Sequence, residues 1–228
     1  MSSVRRFAAV LLSGLLLVAA GCGGTTDQHS GESAATRLAA AKKAFDRTPA
    51  LHIALSTDDL PRSVAGLLSA DGDGTHQPGF RGEIKVVQSG LSLTVPVVSL
   101  QGRTWAKLGI WQQVDPGQYN APDPAGLMNP RHGLSSVLTQ ATDLHGPTTK
   151  RQGSATVTRI DGKVPGNLMA TIIPSAASTT MFDAQFTLDH SGRLVGMVLT
   201  GTFYPSADDV TYTFRFSGYG SRTTVRAP

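Results

Sequence analysis

With one cysteine, Cys22, in 228 residues, the chain can form no disulfide within itself. Its stability must come from a core, and roughly 200 residues suffice to bury about 70% of the surface that the unfolded chain exposes. Charge is also scarce: Asp, Glu, Lys and Arg make up 16% of the residues and leave a net +4. Basic residues gather no further than pairs such as Lys42-Lys43 and Lys150-Arg151. Nucleic-acid binders collect Lys and Arg into a stripe or an arm, so nucleic acid is not an expected partner. At 40% hydrophobic residues the chain is too apolar for disorder and too interrupted for several membrane spans. Catalytic signatures are missing too: there is no HExxH, paired CxxC, GxSxG, GxxxxGK[ST] or GxGxxG. The histidines, at 29, 52, 76, 132, 145 and 190, stand in no spacing suited to a metal or a nucleophile. Asp71-Gly72-Asp73-Gly74 starts like a calcium loop but lacks the third acidic position and has Gly82 at the twelfth, so it reads as a turn between strands. No catalytic residue, metal or cofactor is expected.

What is present begins at the N-terminus. Arg5 and Arg6 precede Phe7 to Ala20, a 14-residue apolar run. That length is short for a span but fits the apolar region of a signal peptide. Small residues at Ala19, Ala20 and Gly21 then lead to Cys22 and a polar GGTTDQHSGES stretch. The pattern reads as a lipobox, with Ala19 where leucine is usual. Residues 1–21 are the expected leader, Cys22 the lipidated mature N-terminus, 22–34 a flexible tether, and 35–228 the folded domain. Two acyl chains on Cys22 would hold that domain stably at the outer face of the plasma membrane. An ordinary secretory signal followed by a plain thiol is the alternative.

Along the rest of the chain, Ala34 to Arg47 places Leu38, Ala41 and Phe45 on one helical face. Leu51, Ile53 and Leu55 alternate as in a strand. Val64 to Leu68 is a short element before the Asp71–Gly74 turn. Arg81 to Gln88, Leu91 to Leu100 and Arg103 to Leu108 form a meander turned at Ser89-Gly90 and Gln101-Gly102. Val114 to Asn129 is a loop with at most a helical turn at Pro124 to Met128, and Gly133 to Asp143 is a short amphipathic helix. Ser154 to Ile160 is a strand ended by an Asp161-Gly162 turn, Asn167 to Ile173 a helical patch, and three strongly alternating strands complete the chain. Seven or eight strands against three or four short helices predict an α+β fold, one antiparallel sheet with helices over one face.

The segment from Trp111 to Leu138 carries a D-P-x-x-L-x-N-P stretch, then G-L-x-x-V-L: Asp123, Pro124, Leu127, Asn129, Pro130, Gly133, Leu134, Val137 and Leu138. It resembles the LppX/LprAFG lipoproteins of actinobacterial envelopes. The lipobox, Gly90 between two strands, Gly102 before Trp105, and Ile160-Asp161-Gly162-Lys163-Val164 extend the likeness across most of the chain. The resemblance implies a half-barrel, one strongly curved antiparallel sheet wrapping helices around an apolar cavity, similar in shape to the LolA and LolB carriers of other bacteria. It also implies a non-enzymatic carrier of acylated glycolipids or triacylglycerol, with a membrane efflux permease as partner in some members.

Strand parity assigns Ile84, Val86, Leu93, Val95 and Val97 to one wall of such a cavity and Leu134, Val137 and Leu138 to the helical wall opposite. Phe182, Phe186, Phe214 and Phe216 would line it or close the core. From periodicity alone the same residues would serve a solid core. Beside the carrier stand an envelope adaptor acting through its surface on a transporter, and an envelope hydrolase.

Overall fold

Eleven strands pair in a single antiparallel sheet in a computed structural model that describes Glu32–Pro228, apart from Arg62 and Asn120. The expected leader, Cys22 and nearly all of the tether lie outside the described residues. The strands are β1 (Ala50–Ser56), β2 (Gly66–Thr75), β3 (Gly79–Gln88), β4 (Leu91–Leu100), β5 (Arg103–Leu108), β6 (Ile110–Val114), β7 (Thr142–Gln152), β8 (Ala155–Pro165), β9 (Met181–Leu188), β10 (Leu194–Gly201) and β11 (Val210–Ser217). Their spatial order, β6-β5-β4-β3-β2-β1-β11-β10-β9-β8-β7, is two meanders joined where β1 pairs with β11. The sheet is curved and open, with β6 and β7 as its edges.

Helix α1 (Ala34–Arg47) forms where expected. Ser33 caps it by accepting from the Thr36 N–H, and Ala34, Leu38, Ala41 and Phe45 are its buried face. Phe45 meets Phe216 and Tyr219 edge-on, at centroid distances of 5.5 and 6.3 Å. A segment from Pro116 to Gln140 connects the two meanders through 3₁₀ turns at Pro116–Tyr119, Pro124–Met128 and Leu134–Ser136 and helix α2 (Val137–Gln140). Helix α3 (Gly166–Ile172) packs on β8.

The structure corrects several sequence expectations. Asp71-Gly72-Asp73-Gly74 lies in the second half of β2 and is no turn: the glycines face inward, paired to Ile53 and Leu51, and the aspartates face outward. These glycines are required by close approach. A Cβ on Gly72 would lie 2.5 Å from the Arg81 carbonyl oxygen and 2.7 Å from the Gly82 Cα, and one on Gly74 would lie 2.7 Å from Met128. Asp161-Gly162 likewise continues β8, with Gly162 under Leu144. The helix expected over Gly133 to Asp143 is shorter, because from Thr142 the chain enters β7. That strand, TDLHGPTTKRQ, has no apolar alternation because it is a solvated edge, broken in register on both sides of His145 and containing Pro147. Strand β6 adds a further element that the alternation does not announce.

Candidate functional site

Two apolar clusters divide the inner face of the sheet. The larger spans α1, β1, β8 to β11 and the helical cover, and it contains Leu134, Val137 and Leu138 at 1% exposure or less, among Leu38, Phe45, Ile160 and Phe186. The smaller consists of Phe80, Val95, Val97 and Ala106, with Ile84 and Val114 packed against it. The expected wall residues therefore fall into different clusters. Register brings five together: Gly82 faces Val97, Ile84 faces Val95 and Val86 faces Leu93, all on the inner side of β3 and β4. Ala106 of β5 extends the row beside Val97. Burial along it falls steadily. Val97 and Val95 are covered, Ile84 and Val86 are half-buried, and Leu93 is 50% exposed.

The 3₁₀ turn Pro124–Met128 of the cover packs on β2, β3 and β4, and its Met128 belongs to the larger cluster. Asp123 fixes it from both sides, accepting from the Ala125 N–H at 3.0 Å and from the buried Ser99 hydroxyl at 2.5 Å. Ser99 in turn accepts from Thr104 on β5. Asn129 accepts from the N–H groups of Arg131 and His132, and Gly133 donates back to the Asn129 carbonyl. Lys42 and Asp46 of α1 hold the same segment through the Pro130 carbonyl and the Ser135 hydroxyl. The D-P-x-x-L-x-N-P segment is thus a device for fastening the cover to the sheet. Sequence reading identified these residues without their role.

The exposed end of that row lies at one end of the sheet. The β1–β2, β3–β4, β5–β6 and β10–β11 connections all lie there, as does Met181 at the start of β9, because consecutive strands are antiparallel. The larger cluster is closed near this end by two phenols. At the register break in β2, the Leu67 N–H donates to the Tyr204 hydroxyl at 3.0 Å, and the Leu67 carbonyl accepts from the Tyr212 hydroxyl at 2.5 Å. The two hydroxyls also meet each other at 2.8 Å. Burial, with Tyr204 beside it, pushes the Tyr212 phenol far above its ordinary value near 10. The unfolded chain ionises there and the folded chain does not, so this contribution to stability is complete below pH 10 and is lost as pH rises beyond it. Urea denaturation of Tyr212→Phe at neutral pH should show a loss of about 1–3 kcal/mol, from the carbonyl left unpaired, together with a shallower fall in stability at alkaline pH.

Polar groups sit on the outer face. His52 lies between Asp71 and Asp73, at 3.2 and 3.1 Å. Partial burial pulls its imidazolium down, but the hydrogen bond to Asp73 and the charge of Asp71 outweigh it and leave the value raised. His76 instead holds the Thr48 carbonyl. A groove of about 290 Å³ runs past Arg159, Asp161, Lys163 and Asp183. Another of about 560 Å³ lies at the open end between Ser56, Ser69, Lys85, Val87 and Ser92. The first has a mixed lining on the outer face, whereas the second also takes in Leu60 and Leu68 of the larger cluster. Among the described residues no group of His, Cys, Asp and Glu has the arrangement of a metal site, and no helix is long and apolar enough to cross a membrane.

Known structures share this architecture. LprF from Mycobacterium bovis superposes with a TM-score of 0.69 at 18% identity, over 86% of this chain and 96% of that one. Lipoprotein LppX from Mycobacterium tuberculosis does so with a TM-score of 0.62 at 19% identity, over 85% and 98%. No curated protein sequence matches the chain. The LppX_LprAFG lipoprotein model matches residues 33–225, nearly the whole described unit and the segment that fastens its cover, and the chain belongs to that family.

Proposed function

We propose that the protein is a lipid-anchored, non-enzymatic carrier, which takes the acyl chains of multi-acylated glycolipids or triacylglycerol onto its inner face and moves them outward from the plasma membrane. Residues 1–21 serve as leader and Cys22 as attachment point, and a membrane efflux permease is the expected partner. The observation that carries the reading is the row of inward-facing Val97, Val95, Ile84, Val86 and Leu93, which passes without interruption from covered to open. An apolar face open at one end accepts chains from that end. Each methylene taken out of water contributes about 0.8 kcal/mol. A lipid leaving a bilayer exchanges one apolar surrounding for another, so loading and release stay close to balance and no chemical step is needed.

The test is mass spectrometry of organic extracts from Glu32–Pro228 purified from an actinobacterial host. Stoichiometric lipid with several acyl chains is expected, and Leu93→Asp or Val86→Asp should lose it. Both positions are partly exposed, so these variants should remain folded. Val137 and Leu138 are unsuitable for this test, since a bulky or polar group there would break the core. A folded, empty wild-type protein would sink the proposal. The adaptor reading would then gain, supported by the dense packing of Leu134, Val137 and Leu138 and by the charged groove past Arg159, Asp161, Lys163 and Asp183.

A further inference from the structure

Six large apolar side chains stand out among the described residues as exposed: Leu91, Leu93, Leu108, Ile110, Tyr119 and Met181. Strand direction places five of them, all but Tyr119, at the open end of the sheet. They are not spread over a flat face. Leu91 follows the Ser89-Gly90 turn at 74% exposure, and Leu108 and Ile110 flank Gly109 at 48% and 75%, so neighbouring hairpins each carry apolar groups at the tip. Gly109 has a φ of +84° and open space around it, so the second tip is a tight, unsupported point.

The residues behind the tips have the other half of a membrane-interface pattern. Trp111 and Trp105 lie on the outer face of β6 and β5, paired with Lys107 and Gln113. The Arg103 guanidinium stands 5.6 Å over the Trp105 ring. Of the cations on strands β3 to β6, Lys85 and Lys107 lie toward the tips, whereas Arg81 and Arg103 lie toward the other end of the sheet, and Glu83 is the one acid of these strands. Asp58 and Asp59 are the acids of the adjacent β1–β2 loop. Apolar tips, an aromatic collar and cations behind it match the layers of an anionic bilayer surface, from acyl chains through the interface to the headgroups.

We propose that the protein docks directly onto an anionic phospholipid bilayer by inserting the tips at Leu91 and Leu108-Gly109-Ile110, with Trp111, Lys107 and Lys85 at the headgroup level. This deepens the carrier reading and rests on it for its purpose: the inserted end is the end at which the inner apolar face opens. A tether of about a dozen residues from Cys22 reaches at most about 40 Å, so an anchored domain stays close to the membrane that holds it. Docking would let acyl chains pass between bilayer and protein without crossing water.

The experiment uses Glu32–Pro228, a compact unit with a core entirely its own. It is floated with vesicles of phosphatidylglycerol and phosphatidylcholine, and with vesicles of phosphatidylcholine alone. The wild type should float with the former and release at high salt. Leu91→Asp and Ile110→Asp should each weaken binding roughly tenfold, and Lys107→Glu should weaken it on the anionic vesicles. In Trp105→Phe, where Trp111 is the remaining tryptophan of the two in the chain, emission should shift blue on binding and be quenched by lipids brominated near the headgroup. Wild-type protein that fails to float overturns the proposal, as do tip variants that float equally well. So does a solution dimer dissociated by Ile110→Asp, which would assign the tips to a second copy of the chain. Acyl-chain binding is measured separately with micellar lysophospholipid. Ile110→Asp should retain it and Leu93→Asp should lose it. Loss of both activities in Ile110→Asp would place the tip in the cargo surface and overturn docking. Vesicle binding with no acyl-chain binding in the wild type would leave docking standing and remove the carrier reading.

Discussion

Gly82→Ala is expected to destabilise the protein by about 3 kcal/mol or more, at the upper end of the range for overpacking a well-filled site. A Cβ on Gly82 would lie 2.2 Å from the Asp71 carbonyl oxygen and 2.6 Å from the Gly72 Cα. Both are backbone atoms of the paired strand, so no side chain can swing away to relieve the contact. The strands must part, breaking the ladder where Gly72 and Gly82 face each other on the inner side of the curve. Gly196→Ala is the control. Its Cβ would meet Thr187 at an ordinary 3.5 Å, and a change of about 0.5 kcal/mol or less is expected. Urea denaturation midpoints for the two variants check this directly. Adding Gly72→Ala to Gly82→Ala should cost less than the sum of the single changes, since one separation of β2 from β3 relieves both contacts. A sheet opened at this point would also hold β3 and β4 further from the cover, so retained lipid should fall along with stability.

Those glycines also mark where the sequence could and could not be read. Alternation gave the strands with one dry and one wet face, and Leu38, Ala41 and Phe45 gave α1 its buried side at helical spacing. The Ser89-Gly90 and Gln101-Gly102 turns were legible because both residues of each pair adopt positive φ, which a two-residue hairpin needs. Asp71–Gly74 and Asp161-Gly162 have the same residue types for a different reason. There glycine makes room for a backbone or a side chain that only the folded sheet brings near. The edge strand β7 had no apolar face to betray it. At the candidate site, parity correctly grouped the inner residues of β3 and β4, since side-chain direction is a local property. It could not tell that Leu134, Val137 and Leu138 pack into the other cluster, because the path of the cover depends on contacts many residues apart. The apolar tips did leave a sequence signal, hydrophobic residues on both sides of the Gly109 turn and one directly after Gly90.

Gly133→Ala should act on that cover as strongly as Gly82→Ala acts on the sheet. Its φ of −98° suits any residue, so the requirement is one of space. A Cβ there would meet the Leu127 carbonyl oxygen at 2.3 Å, the Asn129 carbonyl oxygen at 2.6 Å and the Asn129 nitrogen at 2.8 Å. These atoms belong to the turn that Gly133 closes by its own hydrogen bond to Asn129. Displacing the turn pulls on Met128, seated over Gly74, and on Leu134, the first core residue after it. Gly126→Ala, seven residues earlier in the same cover, would meet only Asp123 side-chain atoms at 3.7 Å and beyond, so it should be nearly neutral. The expected result for Gly133→Ala is a loss of about 3 kcal/mol, with far-ultraviolet circular dichroism kept and a dye specific for exposed apolar surface bound more strongly than by wild type. That combination would mean a standing sheet with a loosened cover. Unchanged stability would instead show that this segment can shift freely, and that the cover is not fastened at the point where its backbone is most crowded.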